Sequence, residues 1–399
     1  MRKVALIGAV IASSVLSVTA AAAPAHADGP GAGAPWVVSL GDSYISGEAG
    51  RWAGNSNSSS SLVDALGSTA YFDNAAGTAE QIPGCHRSKA TEIVIGGGVN
   101  SLNLACSGAK TSTFTDSSGN FKPGIDFANV GGRLGQAQQL QNFAAGHNVK
   151  MIQLSIGGNN FNFASIVQSC VTDFLLSPSW WKDYCNDDSS VTANFTAANI
   201  TNQTNAIKGA LQNIQTAMTA AGYSAGQYTI VVQTYPSPVP TSSGFRYGES
   251  GYTRQSTGGC GFWNADANWA NSSALVTINN SVKSAAASVS PSIKILDLAA
   301  AFNGRRLCEN TVNLMENTGL ANWTSAGASD RTEWIAQIRT VSTVFGPYYV
   351  QESLHPNYWG ELALRNCVRQ AYNGGAPRGG ACSRGSGLNA NGEPNMSLA

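Results

Sequence analysis

Four short apolar runs, set far apart by longer segments, constrain this chain more than any other feature. Trp36 to Leu40, "KMIQLSIGG" (150–158), "QYTIVVQTYP" (227–236) and "IKILDL" (293–298) read as strands, with 293–298 the last of them. Between the second and third, "ITNQTNAIKGALQNIQTAMTAAG" (200–222) places Ile207, Leu211, Ile214 and Met218 at helical spacing and stops at a glycine. That stripe reads as core packing. Strands alternating with helical stretches argue for a mostly parallel sheet covered by helices.

The chain has 399 residues, which suits one or two domains; a single α/β domain over 28–382 is the expectation. Three stretches, 51–100, 170–190 and 303–351, are too long for simple connections, and long loops at strand ends are where α/β folds keep function. "NSNSSSS" (55–61) has the composition of a flexible loop, and residues 383–399 that of a disordered tail.

Arg2 and Lys3 precede an apolar stretch from Val4 to Val18, and Ala25-His26-Ala27 offers small residues for cleavage. Residues 1–27 therefore read as a signal peptide and the protein as secreted, extracellular. The apolar stretch falls short of the roughly 20 residues that span a bilayer, so no transmembrane anchor is expected. Lysine and arginine number 23 against 23 acidic residues, without runs of either sign. Nucleic acid, which needs clustered positive charge, is not an expected partner.

Eight cysteines, Cys85, Cys106, Cys170, Cys185, Cys260, Cys308, Cys367 and Cys382, contain no CxxC pair. In an exported chain they read as four disulfides, with a zinc site as the alternative that lacks its motif spacings. Pairing sequence neighbours (85–106, 170–185, 260–308, 367–382) would clip four separate loops.

Two serines stand where a nucleophile could. Ser224 centres "GYSAG", a GxSxG match, but this segment runs from helix into strand, the reverse of a nucleophile elbow. Ser43 in "SLGDSYISGEAG" (39–50) follows a strand and precedes a glycine-bearing segment, the order a sharp serine-exposing turn requires. Gly-Asp-Ser is also ordinary turn chemistry.

Once His26 is set aside, the base must be His86, His147 or His355. His86 adjoins Cys85, and His147 lies in the helix-to-strand connection "AAGHNVK"; both read as structural. His355 precedes Pro356, which suits a first helical position, with Leu364, Val368 and Ala371 following at i, i+4 and i+7. For oxyanion donors, "LSIGGNNFNF" (154–163) ends an apolar strand in two glycines and two asparagines. The glycines let backbone approach a ligand, and an Asn side chain can donate to a developing negative oxygen.

These blocks together resemble the GDSL or SGNH hydrolase superfamily, in particular its secreted actinobacterial (Streptomyces-type) lipases and phospholipases. The four blocks run in the family's order from residue 41 to 355. The resemblance implies Ser43 as nucleophile and His355 as base. It also implies an oxyanion hole of the Ser43 amide, Gly108 in "LACSGAK" and Asn159. It implies a three-layer α/β/α sandwich of flavodoxin type with a central parallel sheet and long disulfide-clipped loops, and it supports the sequential disulfides. Two positions depart from the family pattern. Asn160 replaces an aspartate in the "GxND" block, a residue that supports the loop. Glu352 in "ESLH" replaces the aspartate of "DxxH", so either Glu352 or a main-chain carbonyl at 351 or 352 would orient His355.

The implied activity is carboxylic-ester hydrolysis through an acyl-enzyme on Ser43, without cofactor or metal, by a monomer. Phospholipase action on glycerophospholipids and lysophospholipids is the leading expectation. Triacylglycerol lipase or short-chain carboxylesterase activity is the alternative, and a non-catalytic carbohydrate-binding protein the remote one. Phe161, Phe163 and the apolar "DFLLSPSWW" (173–181) suit an acyl chain or a lipid surface, or else ordinary core beneath a long loop.

Overall fold

A computed structural model describes residues 29–340 and 346–399. The expected signal peptide, and residues 341–345 of the third long stretch, lie outside the described residues.

Five parallel strands form the centre: β1 (Pro35–Gly41), β2 (Asn100–Asn103), β3 (Asn148–Ser155), β4 (Thr229–Gln233) and β5 (Lys294–Asp297). They lie in the order 2-1-3-4-5, the flavodoxin-type arrangement. Side chains alternate across this sheet with the period of two that a pleated strand imposes. Val38, Leu40, Ile152, Leu154, Ile230 and Val232 enter one core, while Val37, Met151, Val231 and Leu296 enter the other.

The helices that matter here are α1 (Ser43–Ser46), α2 (Gln136–Ala144), α3 (Phe163–Leu176), α4 (Ala197–Ala220), α5 (Leu275–Val289) and α6 (Tyr358–Tyr372). Apolar side chains of α2, α4 and α5 fill the first core, including Ile207, Leu211, Ile214 and Met218 of the expected stripe. Leu364, Val368 and Ala371 of α6 fill the second, so the sheet is sandwiched between helical layers. The four disulfides join 85 to 106, 170 to 185, 260 to 308 and 367 to 382, the sequential pairing.

The structure corrects four expectations. Residues 383–399 are not a disordered tail: β6 (Gly380–Leu388) and β7 (Pro394–Leu398) pair antiparallel and extend the sheet, so 293–298 is not the last strand. β6 pairs with β5 through Gly380 and Ala381, Cys382 is tied to α6, and Met396 and Leu398 are buried. Strand β2 lay unrecognised at the end of a presumed loop, because "NSLN" is short and polar. In the "NSNSSSS" segment, Asn55 and Ser56 are buried, and the Asn55 amide donates to Glu333 and to the Ile335 carbonyl. Pro356 precedes the helix rather than starting it: Asn357 is the N-cap of α6, its side chain accepting from the Trp359 and Gly360 amides.

Candidate active site

Reversal of strand order between β1 and β3 makes a crevice at their carboxyl ends, the position where open α/β sheets hold ligands. The turn after β1 is built tightly against β3. Gly41 has φ +138°, and a Cβ there would sit 1.9 Å from the Ser155 carbonyl oxygen, so only glycine fits. The Gln136 side chain accepts from the Gly41 amide (2.7 Å) and donates to its carbonyl (2.9 Å), and the Asp42 amide donates to Ser155 (2.9 Å). Asp42 then caps α1, its carboxylate accepting from the Tyr44 amide at 3.1 Å. Ser43 is thereby fixed as the first residue of α1.

Asp42 is fully buried and also accepts from the Tyr235 hydroxyl. Burial pushes its carboxyl up to about 7, against the opposing pull of Tyr235 and the amides that donate to it. The same Tyr235 oxygen accepts from the Gly158 amide at 2.9 Å. One tyrosine thus ties the turn after β1 to the turn after β3.

His355 arrives from across the crevice, 312 residues on in sequence, and its Nε2 lies 2.6 Å from Ser43 Oγ. Its Nδ1 lies 2.9 Å from the Ser353 carbonyl oxygen. A carbonyl can only accept, so Nδ1 carries the proton and Nε2 offers its lone pair to the serine hydroxyl. The segment that presents His355 is held on several sides. Tyr44 OH donates to the Leu354 carbonyl at 2.8 Å, the Leu354 amide donates to Ala336 (3.1 Å) and the Ala336 amide to the His355 carbonyl (2.9 Å). Leu354 itself sits at φ +63°, an uncommon conformation for a side-chain-bearing residue that this web maintains.

The Glu352 carboxylate does not reach His355. Its carboxylate accepts from Trp52 Nε1 (2.8 Å), Tyr71 OH (2.6 Å) and the Tyr349 amide (3.0 Å). The Glu352 side chain is therefore ruled out as the orienting group, and main chain takes its place: the Ser353 carbonyl bonds Nδ1, and the Glu352 backbone also favours the charged ring. The physical reason is that three donors on the far side of the turn hold the carboxylate away from the ring. Burial, and then nearby Glu48, push the Glu352 carboxyl up to about 7.

The oxyanion candidates converge on the same crevice. Chain leaving β2 runs beside β1, with the Cys106 amide donating to Gly41 at 3.0 Å, and this brings Ser107 and Gly108 toward the turn. Gly108 has φ +78°. Among the described residues the amides of Ser43 and Gly108 have no acceptor. Asn159 lines the crevice with Ser43, and its amide donates to the Ala109 carbonyl at 3.0 Å, leaving a second N–H. Asn160 supports the loop: it accepts from the Thr111 amide (3.1 Å) and donates to the Thr111 hydroxyl (2.9 Å).

Beyond Ser43 and Asn159 the crevice turns apolar, past Phe163, Pro238, Leu275 and Ile278. It continues into a small apolar cavity of about 60 Å³ that Ile166, Val167 and Phe262 also line. Phe161, by contrast, is fully buried core.

Glu48, not singled out in the sequence, and the rejected candidates complete the setting. Glu48, fully buried, pairs with His86 Nδ1 at 2.7 Å and accepts from Gln351 at 2.9 Å. His86 stacks on Tyr71 with ring centres 4.5 Å apart, so it is a buried ion-pair partner and not merely a disulfide neighbour. His355 is held below the ordinary imidazole range by burial, which Glu48 partly opposes. Glu48 stood in the quoted "SLGDSYISGEAG" block, but its partner lies 38 residues away and no local pattern links them. His147 stacks on Phe143 at 3.8 Å and bonds its carbonyl. Ser224 is exposed in its turn, with its hydroxyl donating to Gln227 at 3.0 Å.

The fold and the site together define a flavodoxin-type α/β protein with a serine–histidine pair at its switch point. No protein-family model matches the chain, and no curated protein matches it by sequence. Among solved structures the chain is similar to an extracellular lipase from Streptomyces rimosus, at 19% identity and TM-score 0.44, over 85% of this chain and 100% of that one. It is similar to phospholipase A1 from Streptomyces albidoflavus NA297 at 18% identity and TM-score 0.45, over 86% and 100%. A family two carbohydrate esterase from Clostridium thermocellum follows at 9% identity and TM-score 0.36, over 85% of this chain and 63% of that one. Likenesses of this size carry no weight in the functional reading, which rests on the site's own geometry.

Proposed function

We propose that this protein is a secreted, SGNH-type carboxylic-ester hydrolase with Ser43 as nucleophile and His355 as general base. The observation that carries the reading is the 2.6 Å approach of His355 Nε2 to Ser43 Oγ at the mouth of an apolar cavity. His355 takes the hydroxyl proton as Oγ bonds to the ester carbonyl carbon, and the carbonyl oxygen becomes an oxyanion facing the Ser43 and Gly108 amides and the Asn159 side chain. The imidazolium then gives its proton to the departing alkoxide, which leaves an acyl group on Ser43. Water, deprotonated by the same histidine, releases the fatty acid. No step needs a cofactor.

For substrate we favour glycerophospholipids and lysophospholipids. The apolar lining of Phe163, Ile166, Val167, Leu275 and Ile278 suits an acyl chain, since burying each CH₂ is worth about 0.8 kcal/mol. The preference for a phospholipid over a triacylglycerol rests on the resemblance. Four disulfides agree with an oxidising, extracellular location, and no described helix is long and apolar enough to cross a membrane. Assay against phosphatidylcholine, its lyso form, a triacylglycerol and a p-nitrophenyl ester, with products identified by position, tests the reading. Fatty acid release from the first two supports it; hydrolysis of none of the four refutes it.

A further inference from the structure

Eleven large apolar side chains are exposed among the described residues, and five of them, Leu175, Leu176, Trp180, Trp181 and Tyr252, gather around the carboxyl end of α3. Leu176 is 80% exposed, Trp180 81% and Trp181 73%. The two indoles meet edge to face, centres 6.4 Å apart, with nothing packed over them. This is the outer half of the apolar "DFLLSPSWW" stretch; its inner residue, Phe174, is fully buried against Trp263 at 4.6 Å.

The patch stands on a braced platform. Cys170 is bonded to Cys185 on either side of it. The Ser177 hydroxyl accepts from the Asp183 amide (3.0 Å) and Trp263 Nε1 (3.3 Å), Tyr252 OH donates to the Ser177 carbonyl (3.2 Å), and Lys182 pairs with Glu249. Two indoles braced from below and left bare are hard to explain as core. Tryptophan, an apolar body with one polar N–H, is the residue that settles at the boundary between hydrocarbon and water.

Helix α3 links this patch to the crevice. Its first turns carry Phe163, Ile166 and Val167 of the cavity lining, and its 14 residues extend roughly 20 Å from there to the indoles. We propose that Leu176, Trp180 and Trp181 form a docking site for a zwitterionic lipid surface, seating the protein where the crevice can receive an acyl chain. This deepens the lipid-ester reading of the site and rests on it.

Size and charge select that occupant. Two indoles and one Leu offer on the order of 500 Å², below the roughly 800 Å² per partner of a stable protein interface. Asp183, Asp187 and Asp188 lie close enough to Asp173 beside the patch to raise its carboxyl, and the nearby cations Lys182 and Arg254 both face Glu249. Such a rim repels anionic headgroups and leaves a phosphatidylcholine-like surface as the match.

The test is co-sedimentation of the secreted Ser43→Ala protein with phosphatidylcholine vesicles, so that the lipid stays intact. Binding is expected, reduced at least tenfold by Trp180→Ala/Trp181→Ala and weakened when phosphatidylglycerol is mixed in. With Ser43 present, the double variant should keep its kcat/KM on a soluble p-nitrophenyl ester and lose about tenfold on the vesicles. Equal vesicle binding with and without the indoles overturns the proposal. So does a dimer in analytical ultracentrifugation that the double variant abolishes, since the occupant is then a second copy. Failure of the parent protein to cleave the soluble ester refutes the hydrolase reading alone, because vesicle binding is read without catalysis.

Discussion

His355 Nδ1 and the carbonyl oxygen of Ser353 lie 2.9 Å apart, so the imidazole is oriented by main chain, two residues back in its own segment. A carbonyl serves the tautomer as well as a carboxylate does but brings no negative charge to the imidazolium that forms. Buried Glu48 is the nearest candidate for that charge, since it opposes the burial that depresses His355.

Glu352→Gln is accordingly expected to lose less than roughly tenfold in kcat, whereas His355→Ala loses nearly everything. The carboxylate braces Trp52, Tyr71 and Tyr349, so the change should appear as a lower Tm instead. A kcat loss near 10⁴, the cost of removing a true triad carboxylate, would contradict the carbonyl assignment.

The base works only when neutral. Burial lowers the His355 pKa from its ordinary value, so the acid limb of kcat/KM should fall below about pH 6.5. Glu48 raises that pKa, so Glu48→Gln should move the limb to still lower pH. A limb that stays put or moves up would remove Glu48 from the electrostatics of the site. Steady-state profiles of both proteins on one soluble ester measure this.

Asn159→Ala should lower kcat by about 10² to 10³ with little change in KM, because an oxyanion donor acts on the transition state. An effect confined to KM would make Asn159 a substrate-binding residue.

Much of this arrangement was legible in the sequence, for physical reasons. β1, β3, β4 and β5 are buried apolar runs. Ser43 and His355 stood out because a nucleophile needs a strand-to-turn context and the chain holds only four histidines. The rest lacked a signature. "NSLN" pairs at the sheet edge and "GACSRGSGL" one strand in from the other edge, and there backbone bonds and a disulfide, not apolar side chains, set the strand. The Ser353 carbonyl is a main-chain atom that any residue type could supply, and so it leaves no trace in residue type. Tyr235, which joins the two turns of the site, is 193 residues from Asp42 and reads locally as the end of a strand.

A second pH effect concerns stability. Buried Glu92 and Glu361 form a coupled carboxyl pair, and burial pushes both up from an unfolded value of about 4.3, Glu92 to about 8. Its contribution is fully present below the unfolded pKa and is lost as pH rises through about 8. Between those limits Glu92→Gln should flatten the fall in unfolding free energy and raise stability at pH 8. Denaturant melts at pH 5 and pH 8 check it; a pH dependence unchanged in both Glu92→Gln and Glu361→Gln would contradict the raised pair.

The central claim is that Ser43 is an activated nucleophile, and covalent labelling tests it most directly. A fluorophosphonate should modify the native protein once, at Ser43 by peptide mass mapping. It should leave Ser224 untouched, and both the label and ester hydrolysis should vanish in Ser43→Ala and in His355→Ala. An unlabelled Ser43 in folded protein, or ester hydrolysis that survives Ser43→Ala, would contradict the account.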